Sequence, residues 1–137
     1  MKDWTRGACH CGTVRFAVRL SEGLSQPRRC NCSLCRMRGA VALSARREDI
    51  RIEAGQDALT LYQFGTRTAE HWFCSVCGIY THHRRRSNPD ELGVNAACLE
   101  GVSPFDFAEV PVNEGVRHPN DDPNAPDIAG VLRYEGR

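Results

Sequence analysis

Apolar and polar side chains alternate along much of this chain, in runs too short for a helix and of the right length for strands. Val14, Phe16, Val18 and Leu20 alternate with Thr13, Arg15 and Arg19, and a period of two marks a strand with one face buried. With Cys9-His10-Cys11-Gly12 as a turn, residues 5–20 predict a hairpin. Gly23 and Pro27 break the run, and the chain re-enters at Arg28 as a short extended piece. Residues 40–45 and 50–53 predict two short strands, and residues 59–64 a third. Residues 68–73 lead into Cys74-Ser75-Val76-Cys77-Gly78 and residues 79–82 lead out, a strand, turn, strand outline in which Gly78 takes a positive φ. Residues 92–99 predict a central strand. Between 111 and 127, four of the seven prolines fall among Asn, Asp and Gly, which predicts a loop with no regular element. Residues 131–134 predict a last strand. No stretch holds a helical period, so the expected fold class is all-β.

Length and charge limit the partners. The 137 residues make one expected domain, 1–137, with the proline-rich loop 111–127 inside it, long enough to bury roughly two-thirds of its unfolded surface. Lys plus Arg (18) nearly balances Asp plus Glu (17) and aromatics are only 7%, so neither a nucleic acid nor an anionic membrane is an expected partner. No window approaches about 18 apolar residues. Residues 1–7 lack the apolar stretch of a secretory signal, and the expected compartment is the cytoplasm.

That compartment changes how the eight cysteines are read. In a reducing environment thiols persist, and the spacings Cys9-x-Cys11, Cys30-x-Cys32-x-x-Cys35 and Cys74-x-x-Cys77 suit a metal better than a disulfide framework. Zinc suits a turn-rich β domain; an iron–sulfur cluster would accept the same ligands. Cys30 and Cys32 leave the same face of an extended segment, a little under about 7 Å apart, and a tight turn brings Cys35 round to the same point. A closed structural zinc wants four ligands. The pairs Cys9/Cys11 and Cys74/Cys77 supply them. Cys30, Cys32, Cys35 and Cys98 remain: with Cys98 as a ligand the second site is closed, and with Cys98 in the core it keeps an open position, the mark of catalytic zinc. The core placement is the one expected, since residue 98 lies in an apolar run without neighbouring ligands. His10 faces away from the first metal. His71, His82 and His83 are expected to be solvated or hydrogen-bonded, and Arg84-Arg85-Arg86 to be a solvated loop. Arg28, Arg29 and Arg36 flank the three-thiol loop, placed to offset a tris-thiolate or to hold the carboxylates of an acidic ligand.

The ordered motifs resemble one family. Gly7-Ala8-Cys9-His10-Cys11-Gly12, then Cys30-Asn31-Cys32-Ser33-Leu34-Cys35-Arg36 with Gly39-Ala40, then Phe73-Cys74-Ser75-Val76-Cys77-Gly78 and Val94-Asn95-Ala96-Ala97-Cys98-Leu99 are similar to the glutathione-dependent formaldehyde-activating enzymes, also called the centromere protein V domain family. The resemblance spans about residues 5–108. It implies a tent-like all-β fold with two zinc ions per chain: Cys9, Cys11, Cys74 and Cys77 structural, and Cys30, Cys32 and Cys35 holding a catalytic zinc that faces the substrate. It further implies a carbon–sulfur lyase that joins a thiol such as glutathione to an aldehyde, formaldehyde in the founding activity. The ion would deliver the thiol as a thiolate or polarise the carbonyl; a site with three thiolates is a poor Lewis acid, which favours delivery. The opposed reading is a binding module with two structural zincs and no catalysis. Sequence names neither the thiol nor the aldehyde, and gives no oligomeric state.

Overall fold

The structure, a computed structural model, describes residues 3–137. Met1 and Lys2, which begin the expected domain and the N-terminal stretch read above, lie outside the described residues. In chain order the elements are β1 (Thr5–Ala8), β2 (Arg15–Leu20), β3 (Arg29–Cys30), α1 (Ser33–Arg38), β4 (Ala42–Ala54), β5 (Leu59–Tyr62), β6 (Glu70–Cys74), β7 (Tyr80–Arg84), β8 (Glu91–Asn95), β9 (Glu109–Asn113) and β10 (Ile128–Arg133). Seven strands form one antiparallel sheet in the order β1-β2-β4-β8-β7-β6-β5, and three form a second in the order β10-β9-β3. The mostly β, antiparallel architecture is the expected one. Among the described residues no helix is long and apolar enough to cross a membrane.

The core lies where the alternation of residues 13–20 placed it. Phe16, Val18 and Leu20 pack with Val41, Leu43, Ala45, Leu92, Val94 and Leu99, burying one face each of β2, β4 and β8. Gly7 lets β1 lie flat on this core: a Cβ there would stand 2.5 Å from the Phe16 ring. A second, smaller cluster joins Val14 to Cys9 and Cys74 with Leu59 against it.

Several elements depart from the sequence reading. The two strands expected at 40–45 and 50–53 are one, β4, which pairs with β8 through residues 42–46 and with β2 through Ala45 and again through residues 50–54. A bulge against β2 lets Arg46, Arg47 and Glu48 face water, and Arg19 holds the bend through Asp49 at 2.6 Å, so the polar interruption is a bulge within one strand and not the end of an element. The central strand expected over 92–99 stops at Asn95 because that side chain accepts the N–H of Ala97 at 3.1 Å and starts a 3-10 turn, Ala96–Cys98. The loop expected from 111 begins three residues later, since Pro111 lies inside β9; it faces Val131 of β10, and β3 pairs only with Val112 and Asn113, so no ladder bond is lost for want of its N–H.

Candidate functional site

Two turns of like construction bring the first four thiols together. Gly12 (φ 78°) follows Cys11 and donates to the Cys9 carbonyl at 3.1 Å, while the Val14 N–H points at Cys9 Sγ from 3.3 Å. Gly78 (φ 79°) follows Cys77 and donates to the Cys74 carbonyl at 2.7 Å, with the Val76 N–H 3.4 Å from Cys74 Sγ. The left-handed glycine turns each hairpin back so that both of its thiols face inward. The first turn follows the edge strand β1 and the second follows β6, near the opposite edge, so the sheet folds round on itself here. Cys9 Sγ lies 3.6 Å from Cys11 Sγ, and Cys11 Sγ 3.8 Å from Cys74 Sγ; all four sulfurs fall within 4.8 Å of one another. Four sulfurs about 2.3 Å from a tetrahedral zinc stand about 3.8 Å apart, so the donor set fits such an ion. Burial pushes the Cys9 thiol up to about 11. The backbone N–H of Cys11 draws Cys77 down to about 6.

Cys30, Cys32 and Cys35 also converge within 4.8 Å, and all three are half-buried. The tight turn expected here is a short helix. Cys32 is the N-cap of α1, its Sγ accepting from the Cys35 N–H at 3.4 Å, and Gly39 ends the helix in the left-handed region (φ 71°). Leu34, Arg36 and Met37 favour a helix, but six residues are too few to show a period. Cys30 closes β3 and turns its Sγ to the Cys32 N–H at 3.4 Å. The close approach of the three thiols to one another holds Cys32 well below the usual thiol range and pushes Cys30 and Cys35 up.

A cavity of about 750 Å³ opens over this cluster. Six arginines border it, Arg28, Arg29, Arg36, Arg38, Arg85 and Arg86, against two carboxylates, Glu114 and Asp127. Arg85 is paired with Glu91 and Arg86 with Asp121. Arg28, Arg29 and Arg36 have no carboxylate partner among the described residues. Arg28 is deep: its Nη1 donates to Ser44 Oγ at 2.5 Å, its Nη2 has no partner, and burial draws its pKa to about 10, which leaves it cationic at neutral pH.

Arg38 ties the thiols to the cavity floor. Its Nη2 donates to Cys35 Sγ at 3.5 Å, its Nη1 lies 3.1 Å from His71 Nδ1, and its guanidinium stacks 3.6 Å above the Tyr80 ring. Because arginine only donates, His71 Nδ1 accepts and the ring proton sits on Nε2. Burial, with Arg38 beside it, lowers His71 to about 4, so this imidazole is neutral at pH 7. The His83 ring stacks on His71 at 5.2 Å and bonds the Tyr80 hydroxyl at 2.6 Å.

Sequence reasoning thus placed the seven clustered thiols and missed the floor beneath three of them. His71, His82 and His83, expected to be solvated or hydrogen-bonded, are buried or half-buried and hydrogen-bonded to Arg38, Thr81 and Tyr80, and Arg84-Arg85-Arg86 is not a solvated loop, because β7 carries its first member and Glu91 and Asp121 fix the others. His10 is exposed, facing away as expected. Cys98 lies in the core, 9% exposed, its Sγ donating to the Tyr80 carbonyl at 3.5 Å and outside both clusters. Burial raises its thiol to about 12. Arg38 and Tyr80 left no signal in the pattern: one follows the three-thiol motif by three positions and the other follows the Cys-x-x-Cys turn, and only the fold joins them.

The model of one family, described as glutathione-dependent formaldehyde-activating enzyme, matches residues 4–110. A crystal structure of a Rhodobacter sphaeroides protein is 61% identical to this chain and covers 79% of it and 99% of its own length, with a TM-score of 0.77. The matched stretch contains all eight cysteines, both turns that carry the first cluster and the loop that carries the second. On that match, this chain belongs to the glutathione-dependent formaldehyde-activating enzyme family.

Proposed function

We propose that the protein is a zinc-dependent enzyme of the carbon–sulfur lyase type, forming or cleaving the adduct of an anionic thiol, such as glutathione, with an aldehyde, formaldehyde in the first place. One observation carries the reading: three convergent thiols lie against a cavity whose charged border is mainly arginine, while the remaining cysteine, Cys98, is absorbed in the core. Cys9, Cys11, Cys74 and Cys77 are the structural set, completing a four-thiolate shell. Cys30, Cys32 and Cys35 are the catalytic set, leaving one position of a tetrahedral ion for the substrate sulfur. A zinc bound there supplies a lowered thiol pKa, so that the substrate is a thiolate at neutral pH.

The chain's own groups do the rest. Arg38 donates to Cys35 and offsets the negative charge that three thiolates bring. Arg28, Arg29 and Arg36 take the substrate's carboxylates, and Arg28 keeps its charge despite burial. The thiol sulfur bonds to the carbonyl carbon, the carbon–oxygen π pair moves to oxygen, and the proton the thiol gave up ends on that oxygen. His71, neutral at pH 7 with its proton on Nε2, offers a hydrogen-bond donor to the cavity rather than an ionised acid. The whole domain, 1–137, works as one unit in the cytoplasm on small molecules, without nucleic acid or membrane. Isothermal titration of glutathione, and of a neutral thiol of similar size, tests the reading. Wild type binds glutathione, Cys32→Ser loses both thiols, and Arg36→Ala weakens glutathione about two- to fivefold while sparing the neutral thiol, the range for an exposed ion pair. Equal thiol affinity in wild type and Cys32→Ser would remove the catalytic role from this cluster.

A further inference from the structure

Asn31 stands between two thiols of the catalytic set, yet its side chain serves a distant segment. Its Oδ1 accepts the N–H of Gly115 at 2.7 Å and of Val116 at 3.2 Å, and its Nδ2 reaches Glu114 Oε2 at 3.5 Å. Its own N–H donates to the Asn113 carbonyl at 3.3 Å, extending the parallel pairing of β3 with β9. These are not the local bonds an Asn makes in a turn, since the partners lie 84 and 85 residues away. Packing agrees with the bonding. A Cβ on Gly115 would stand 2.6 Å from Cys30 Sγ and 2.8 Å from Cys32 Cβ, so the segment presses on the thiol loop at a point where only glycine fits. Other bonds hold the segment itself: Glu114 N–H to the Asp127 carbonyl at 2.9 Å, Glu114 Oε1 accepting the Arg117 N–H at 2.8 Å, and Asp121 on Arg86. All of it lies beyond residues 4–110, the stretch that the family shares.

A six-residue loop with three ligands must be ordered before it can grip an ion, and ordering costs roughly 1–2 kcal/mol per residue. A loop already tied at its centre has met that cost during folding, and the ion binds more tightly for it. We propose that Asn31 is a positioning residue: it locks the three-thiol loop to residues 113–117 and thereby sets how tightly Cys30, Cys32 and Cys35 hold their metal. The inference rests on the reading that this loop binds an ion. It makes the C-terminal hairpin part of the metal site, although no residue of that hairpin is a ligand.

Zinc-loaded full-length chains of wild type, Asn31→Ala, Gly115→Ala and the double variant Asn31→Asp/Glu114→Gln decide it. A chromophoric chelator titrates the two zincs, and amide exchange is read at Gly115 and Val116. In Asn31→Ala the second zinc weakens at least about tenfold, the usual cost of losing a group that orients ligands, while the first is unmoved and both amides exchange faster. Gly115→Ala weakens the same zinc through contact alone. The double variant recovers most of the affinity, because the new carboxylate accepts the same two N–H groups and the new amide donates to it. Two zincs held equally by wild type and Asn31→Ala, or unchanged amide exchange, would overturn the clamp alone. A wild type that holds one zinc only would overturn the clamp together with the reading beneath it.

Discussion

Cys11 and Cys74 are 63 residues apart and come from opposite flanks of the large sheet, whereas Cys30, Cys32 and Cys35 come from one short loop and the first turn of α1. Closing the longer loop costs the chain about 4 kcal/mol of entropy and the shorter about 2. An ion in the first site therefore carries long-range connectivity, and one in the second carries little. Surroundings follow the same division. The first set packs against Val14 and Leu59 as part of a core, while the second lines a cavity and is backed by arginine and histidine. On the function proposed above, identical donor atoms would be turned to stability in one place and to chemistry in the other by the chain length they span and by what stands behind them.

The sharpest way to break this comparison is to damage each site once. Cys77→Ser is expected to unfold or aggregate the protein, since metal binding at a closed site is folding energy; thermal unfolding with size-exclusion chromatography reads it, and an unchanged melting temperature would contradict the division. Cys32→Ser is expected to keep the fold and lose one zinc equivalent. Serine is a good N-cap, so α1 survives and the change tests the ligand rather than the helix.

The remaining expectations sharpen the comparison. His82 is buried beneath Trp72, outside both thiol clusters, and burial lowers it to about 4. Its folded pKa lies below its unfolded value near 6.5, so the stability it contributes is full above pH 6.5 and is lost as pH falls toward 4. The loss is up to about 3 kcal/mol, and His82→Gln should flatten the stability profile over that window by comparison with wild type. Acid release of metal affects both proteins alike and cancels in the difference. Cys98→Ala should keep two zincs per chain and lose about 1 kcal/mol of packing, measured by metal analysis and denaturant unfolding. Loss of one zinc would instead make Cys98 a ligand and favour a binding module with two closed sites.

The strands and the thiol clusters were legible in the sequence because both signals are local. Alternation over 13–20 needs only its own residues to be seen, and Cys-x-Cys or Cys-x-x-Cys spacings announce a metal wherever the fold places them. What was not legible depends on pairing. Nothing in residues 46–49 says that β4 runs on past them through a bulge against β2, and a helix capped by a thiol that also belongs to a thiol cluster has no ordinary start signal. The cavity floor joins Arg38, His71, Tyr80 and His83 from three elements, and no spacing rule connects them. Segment 111–127 reads as a loop by composition, and composition cannot say that Gly115 is there because a sulfur lies behind it.

The parallel pairing of β3 with β9 also sets an order of events during synthesis. Asn31 leaves the ribosome 83 residues ahead of Glu114, an interval of about 4–17 s at ordinary elongation rates of about 5–20 residues per second. By then the four-thiol set has long been complete, its last member being Cys77. On the functions proposed above, a nascent chain would complete its stabilising thiol set well before the clamp on its reactive loop can form. The staple of the fold would therefore be ready before the reactive loop is set.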